Sequence, residues 1–131
     1  MKYIKDFDQW NRTKKNLDTR NQTLNFCEKE IWWCNVGVNI GSEQDGKGST
    51  FLRPVYILKR INSETFLGIP LTSKLREDYA HISFYLNYDL NAAIISQIKT
   101  FDKKRLYKLI GITSNYLHER MKKATLAFMI S

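Results

Sequence analysis

The segment GSEQDGKGSTFLRPVYIL, residues 41–58, passes from a polar stretch with three glycines into an arginine, a proline and an apolar run. The glycines predict a flexible loop. VYIL, rich in β-branched and aromatic side chains, predicts a strand. Arg53 stands at the junction. Proline disfavours the helical region for the residue before it, so Pro54 holds Arg53 extended at the head of the strand. A guanidinium fixed in this way offers a rigid fork of donors suited to phosphate oxygens. One strand further on, IPLTS (69–73) places the hydroxyls of Thr72 and Ser73 at a strand end. Two adjacent strands joined by a tight connection would bring the guanidinium and a hydroxyl together.

Outward from this junction the same pattern recurs. EIWWCNVG (30–37), RPVYILKRI (53–61), TFLGIPLTS (65–73), AHISFYL (80–86) and AAIISQIKTF (92–101) are short runs separated by turn residues such as NSE and NYDLN. Five such strands predict a mainly β chain curled into a small sheet or barrel. Asp102 is placed to cap a short helix through KKRLYK after the fifth strand, and LIGI (109–112) offers a further strand. Ser114 or Asn115 caps a final helix whose apolar stripe is Leu117, Met121, Ala124 and Phe128, with Glu119, Arg120, Lys122 and Lys123 facing water. At the other end, Ile4, Phe7, Trp10 and Leu17 fall on one stripe of an accessory helix over residues 3–20. NQTLN (21–25) punctuates. The expected division is therefore a helical extension, residues 1–29, and a barrel domain, residues 30–131.

Composition narrows the function. The chain has 131 residues, enough for one domain with a sizeable core. No apolar run approaches the ~18 residues of a membrane span, and MKYIKDFDQW is too charged for a secretory signal, so a cytoplasmic protein without a membrane partner is expected. Cys27 and Cys34 lack neighbours at metal-ligand spacing and read as small thiols; with only His81 and His118 besides, no metal or cofactor is expected. Lysine and arginine number 21 against 13 acidic residues, a net charge of +8. That excess suits a nucleic-acid partner, although many basic proteins carry such charge only for solubility.

Taken in order, the blocks Glu30-Ile31-Trp32, Gly41-Ser42-Glu43-Gln44, Arg53-Pro54-Val55, Pro70-Leu71-Thr72-Ser73 and Gln97-Ile98-Lys99-Thr100, followed by Asp102 and Arg105-Leu106, resemble the PemK/MazF toxins of bacterial toxin-antitoxin pairs. The resemblance runs from about Glu30 to Ile130. It implies a compact SH3-like β-barrel working as a homodimer. The implied activity is metal-independent cleavage of single-stranded RNA, in which the 2′-OH attacks the phosphate and leaves a 2′,3′-cyclic phosphate and a 5′-OH. The implied partner is an antitoxin whose disordered tail fills the RNA groove.

Residue by residue, the resemblance makes Arg53 and Thr72 catalytic and Ser42, Glu43 and Gln44 a substrate-lining loop. Further RNA contacts are expected from Lys47, Ser73, Lys74, Arg76, His81, Gln97 and Lys99, which lie in or near segments that would rim the cleft. Glu43 reads either as a general base or as a solvated loop carboxylate, and His81 either as a groove residue or as a structural histidine. Trp32 and Trp33 are adjacent on a strand, so one points into the core and the other outward, toward a base or a dimer interface. The loop is longer than the shorter family pattern. An acid-base trio found in some relatives is replaced here by Ser42, Ile94 and Ser96. Two other readings on the same scaffold are an RNA-binding module without cleavage and a gyrase-directed poison of the CcdB kind, which lacks the arginine–threonine pair.

Overall fold

The computed structural model describes residues 3–21, 24–48, 50–76, 78 and 80–131; the NQTLN punctuation falls partly on residues 22 and 23, outside them. Helix α1 (Phe7–Asp18) precedes strands β1 (Glu30–Asn35), β2 (Leu52–Arg60), β3 (Thr65–Thr72), β4 (His81–Leu86), β5 (Asp89–Ile94), β6 (Lys99–Asp102) and β7 (Leu106–Ile112), and helix α2 (Asn115–Ile130) closes the chain. All strand pairings are antiparallel, in the order β4-β5-β3-β2-β1-β7.

The run 92–101 is two strands rather than one. Along a single edge of β3, β5 pairs with Leu71 and Thr72 while β6 pairs with Thr65 to Gly68. The chain must therefore step back along that edge, which the 3₁₀ turn Ile95–Gln97 accomplishes. This double occupancy, with a register shift between Ile57 and Lys59, curls the sheet into a half-barrel. KKRLYK likewise yields only a 3₁₀ turn, Lys103–Arg105, capped by the Asp102 carboxylate on the Lys104 N–H at 2.8 Å. Leu106 is fully buried and pairs with Cys34, so the rest of that segment joins β7. Among the described residues the strands number seven where five or six were expected.

VYIL is apolar at consecutive positions because β2 is covered on both faces. Val55 and Ile57 enter the core inside the curl with Phe26, Trp32, Phe66, Phe101 and Leu106. Tyr56 and Leu58 enter a second core with Ile69, Leu71, Phe84 and Ile95, roofed by α2 through Met121, Leu117 and Phe128. Ser114 caps α2, accepting from the Leu117 N–H at 3.1 Å.

The N-terminal helix is shorter than expected. It starts at Phe7, capped by Asp6 on the Gln9 N–H at 2.9 Å. Ile4 lies before it and is exposed, as is Phe7. Trp10 is buried and Leu17 packs beside it, forming a small third core with Val38 and Phe51 of the β1–β2 loop. Gly37, at φ +84°, makes this possible: a Cβ there would lie 2.0 Å from the Trp10 ring.

Candidate active site

The β1–β2 loop is the first surprise, because its glycines support a folded structure. The N–H groups of Val36 and Gly37 donate to the Phe51 carbonyl, Gly46 N–H donates to Gly37 O at 2.6 Å, and Lys47 and Leu52 exchange backbone bonds. Asn39 closes the tip, donating its backbone N–H to Asp45 Oδ1 at 2.6 Å and its side-chain amide to Gln44 O at 2.8 Å. A Cβ on Gly46 would lie 1.8 Å from Phe51 O, so the close approach of the two loop arms requires glycine.

Arg53 emerges from this loop with its guanidinium fastened at two points. Nε donates to the Asp45 carbonyl at 2.6 Å, and Nη1 donates to the Leu71 carbonyl at 2.9 Å. Leu71 immediately precedes Thr72, so the second bond ties the arginine to the end of β3. Nη2 makes no hydrogen bond to any described residue and is left for an incoming acceptor. Burial pulls the guanidinium below its ordinary range, against the opposing pull of Asp45 and Tyr3. The Thr72 hydroxyl oxygen accepts the Lys74 N–H at 3.1 Å, which leaves its own proton to donate elsewhere. Arg53, Thr72, Ser73 and Lys47 line one hollow of about 450 Å³ with Trp33, Pro54 and Asn91.

Two further hollows adjoin it in series, each sharing lining residues with the one before. A second, of about 620 Å³, shares Arg53, Lys47 and Gly48 with it and adds Glu43, Gln44, Lys74 and the N-terminal Tyr3. A third, of about 250 Å³, shares Glu43 and Gln44 and adds Ser96, Gln97 and Lys99. Gln44 is held there, its N–H 3.4 Å from Gln97 Oε1. Lys99 is drawn below the ordinary lysine range by partial burial and then by the neighbouring Arg105, and its ammonium lies 4.9 Å from the Phe101 ring centre. The three hollows are neighbours that share walls, and together they make up a candidate groove bordered by Lys47, Arg53, Lys74 and Lys99.

Of the residues singled out from sequence, Arg53, Thr72, Ser73, Lys47, Lys74, Glu43, Gln44, Gln97 and Lys99 border this groove. Ser42 and Arg76 are exposed and border none of the three hollows. His81 also lies apart, its Nδ1 2.6 Å from Asp78 Oδ1, an arrangement that holds the Asp78 carboxyl below its usual range. Trp32 is the core tryptophan; Trp33, 38% exposed, faces the groove. Asn91, Asp45 and Tyr3 were missed. Asn91 sits in a segment that reads as a turn, and only the β3–β5 pairing, Thr72 opposite Ala92, brings it to the wall. Asp45 is visible in GSEQD, but nothing in its spacing shows that its carbonyl grips Arg53.

None of the helices among the described residues is long and apolar enough to cross a membrane. No curated protein matches the chain in sequence. Among solved structures, the fold is similar to a MazF from Deinococcus radiodurans, with TM-score 0.68 and 13% identity over 82% of this chain and 99% of that one. It is also similar to a mycobacterial endoribonuclease in complex with its cognate antitoxin, with TM-score 0.59 and 12% identity over 78% of this chain and 92% of that one. Identities this low speak for the fold alone: a curled, mainly β half-barrel with two helices. The sequence itself goes further, since residues 28–129 match the model of PemK-like, MazF-like toxins of type II toxin-antitoxin systems. With most of its length accounted for in this way, the chain belongs to that toxin family.

Proposed function

We propose that the protein is a metal-independent endoribonuclease that cuts single-stranded RNA at the groove around Arg53. The 2′-oxygen adjacent to the scissile phosphate attacks phosphorus and loses its proton to solvent; the P–O5′ bond breaks and O5′ gains a proton from Arg53, which recovers one from solvent. A 2′,3′-cyclic phosphate and a 5′-OH result. Phosphoryl transfer of this kind asks the protein mainly for positioning and for donors aimed at developing negative charge. The observation that supports the reading is the doubly fastened Arg53, with Nη2 unengaged among the described residues in a hollow that Thr72 also lines. Arginine begins protonated and partial burial lowers its pKa, so it serves as charge stabiliser and as proton donor to O5′ better than as base. Thr72 supplies the second donor. Lys47, Lys74 and Lys99 hold flanking phosphates, and Trp33 offers an exposed ring for a base.

On this reading the partners are messenger RNA and a cognate antitoxin whose tail competes for the same cationic groove, and the working unit is a homodimer. The division into an extension, residues 1–29, and a barrel, residues 30–131, belongs to the same proposal.

The test is incubation of the purified protein with end-labelled RNA in EDTA. Cyclic-phosphate ends are expected from the wild type, with a rate at least about 100-fold lower for Arg53→Ala, the usual cost of removing one such donor. Far-UV circular dichroism should show Arg53→Ala folded, with a lowered thermal midpoint because two bonds from the guanidinium to loop and β3 carbonyls are lost. RNA bound but uncut by the wild type would replace this reading with that of an RNA-binding module.

A further inference from the structure

Residues 3–18 lie outside the family-matched span, yet they are wired to the loop that holds Arg53. Lys5 Nζ donates to the carbonyls of Asn39 at 2.5 Å and Gly41 at 3.0 Å, and lies 3.3 Å from Asp45 Oδ2. The Tyr3 hydroxyl donates to the same Oδ2 at 3.0 Å. Asp45 Oδ1 takes the Asn39 N–H, and the Asp45 carbonyl takes Arg53 Nε. Behind this chain, Trp10 packs edge-on against Phe51, with ring centres 5.4 Å apart, and fills the space over Gly37.

We infer that the N-terminal segment is a clamp that positions the catalytic arginine: Lys5 and Tyr3 fix Asp45, and Asp45 fixes Arg53. The inference rests on the ribonuclease reading for its consequence in catalysis, though not for the clamp itself. Two features favour positioning over a direct role in binding. Lys5 borders none of the groove's hollows, so its side chain acts through the loop. The Asp45 carboxylate is engaged by a hydroxyl, an ammonium and an amide at once, which leaves it a brace rather than a base. Tyr3 does border the groove beside Arg53, so the clamp also forms part of the wall on that side.

The test compares Lys5→Met, Lys5→Arg, Tyr3→Phe and the charge control Lys15→Met. Lys15 sits in the last turn of α1, away from the loop. For cleavage of a short RNA, Lys5→Met is expected to lower kcat about tenfold or more with KM changed by less than about twofold, as loss of alignment does. Lys5→Arg restores most of the rate, Tyr3→Phe gives a smaller fall in the same direction, and Lys15→Met matches the wild type. The second measurement is solvent exchange of the Arg53 Nε–H by NMR, assigned by its absence in Arg53→Ala. It is expected to quicken in Lys5→Met. If Lys5→Met leaves both kcat and that exchange rate at wild-type values, or if Lys15→Met slows cleavage equally, the clamp is wrong. If the wild type cuts no RNA, the ribonuclease reading falls and the exchange measurement still decides the clamp. If Lys5→Met is too unstable to assay, Tyr3→Phe, which removes a single hydroxyl, carries both measurements.

Discussion

Arg53 is held by carbonyls from opposite sides, one in the β1–β2 loop and one at the end of β3, and this makes it a fixed donor instead of a mobile cation. The second residue with an unusual setting is His118 of α2, whose Nδ1 shares a hydrogen bond with the Tyr56 hydroxyl inside the core while Nε2 is buried without a hydrogen bond, 3.8 Å from Glu28 Oε1. Burial, then Lys122, depresses the His118 pKa below 6.5, with Glu28 and Glu119 opposing; Tyr56 is pushed up to about 12 by burial. The sign follows directly: below the unfolded pKa of ~6.5 the unfolded chain takes up a proton that the folded chain refuses. Stability should accordingly fall as the pH drops through ~6.5 toward the folded pKa. Urea unfolding between pH 5 and pH 8 checks this, and in His118→Asn, which retains an acceptor near the Nδ1 position, that part of the slope should vanish.

At the scale of elements, the joint between α1 and the β1–β2 loop, built from Trp10, Leu17, Val38 and Phe51, depends on the close approach of Trp10 to Gly37. Alanine at Gly37 would have to adopt a left-handed φ and drive its Cβ into the Trp10 ring. Left-handed backbone costs roughly 1–2 kcal/mol and overpacking roughly 1–3 kcal/mol, so Gly37→Ala should lose about 2–5 kcal/mol in chemical denaturation. If the ring is the obstacle, Gly37→Ala combined with Trp10→Ala should lose less than the sum of the two single changes. This joint is also where sequence is least informative. The strands, the α2 cap at Ser114 and the Arg53–Pro54 junction are local patterns, written in residue types a few positions apart. Lys5 meeting Gly41, Asn91 reaching the groove wall and Tyr56 meeting His118 join residues 36 to 62 positions apart or depend on strand register, which residue spacing does not encode. The loop was legible as glycine-rich, but the same glycines serve a mobile loop and a tightly bonded one; only the partners of Gly37 and Gly46 decide between the two. His81 is the converse case, since three residues suffice for Asp78 to hold it away from the groove.

Across the whole molecule, a charge of +8 biases every encounter with a polyanion, and the groove concentrates part of that charge in Lys47, Lys74, Lys99 and Arg53. Single-stranded RNA gives a salt slope of about −0.7 per phosphate neutralised, so four contacts imply a slope near −3 in a plot of log affinity against log salt. Fluorescence anisotropy with an oligonucleotide lacking the attacking 2′-OH measures it without cleavage, and Lys99→Ala should make the slope shallower by about 0.7. A slope unchanged by that substitution would place RNA elsewhere on the surface. The fit between Trp10 and Gly37 carries a further implication, one of interdependence. While the indole sits in the space a methyl group would need, position 37 admits no side chain at all; trimming the indole would lift that clash and leave only the left-handed backbone as the penalty.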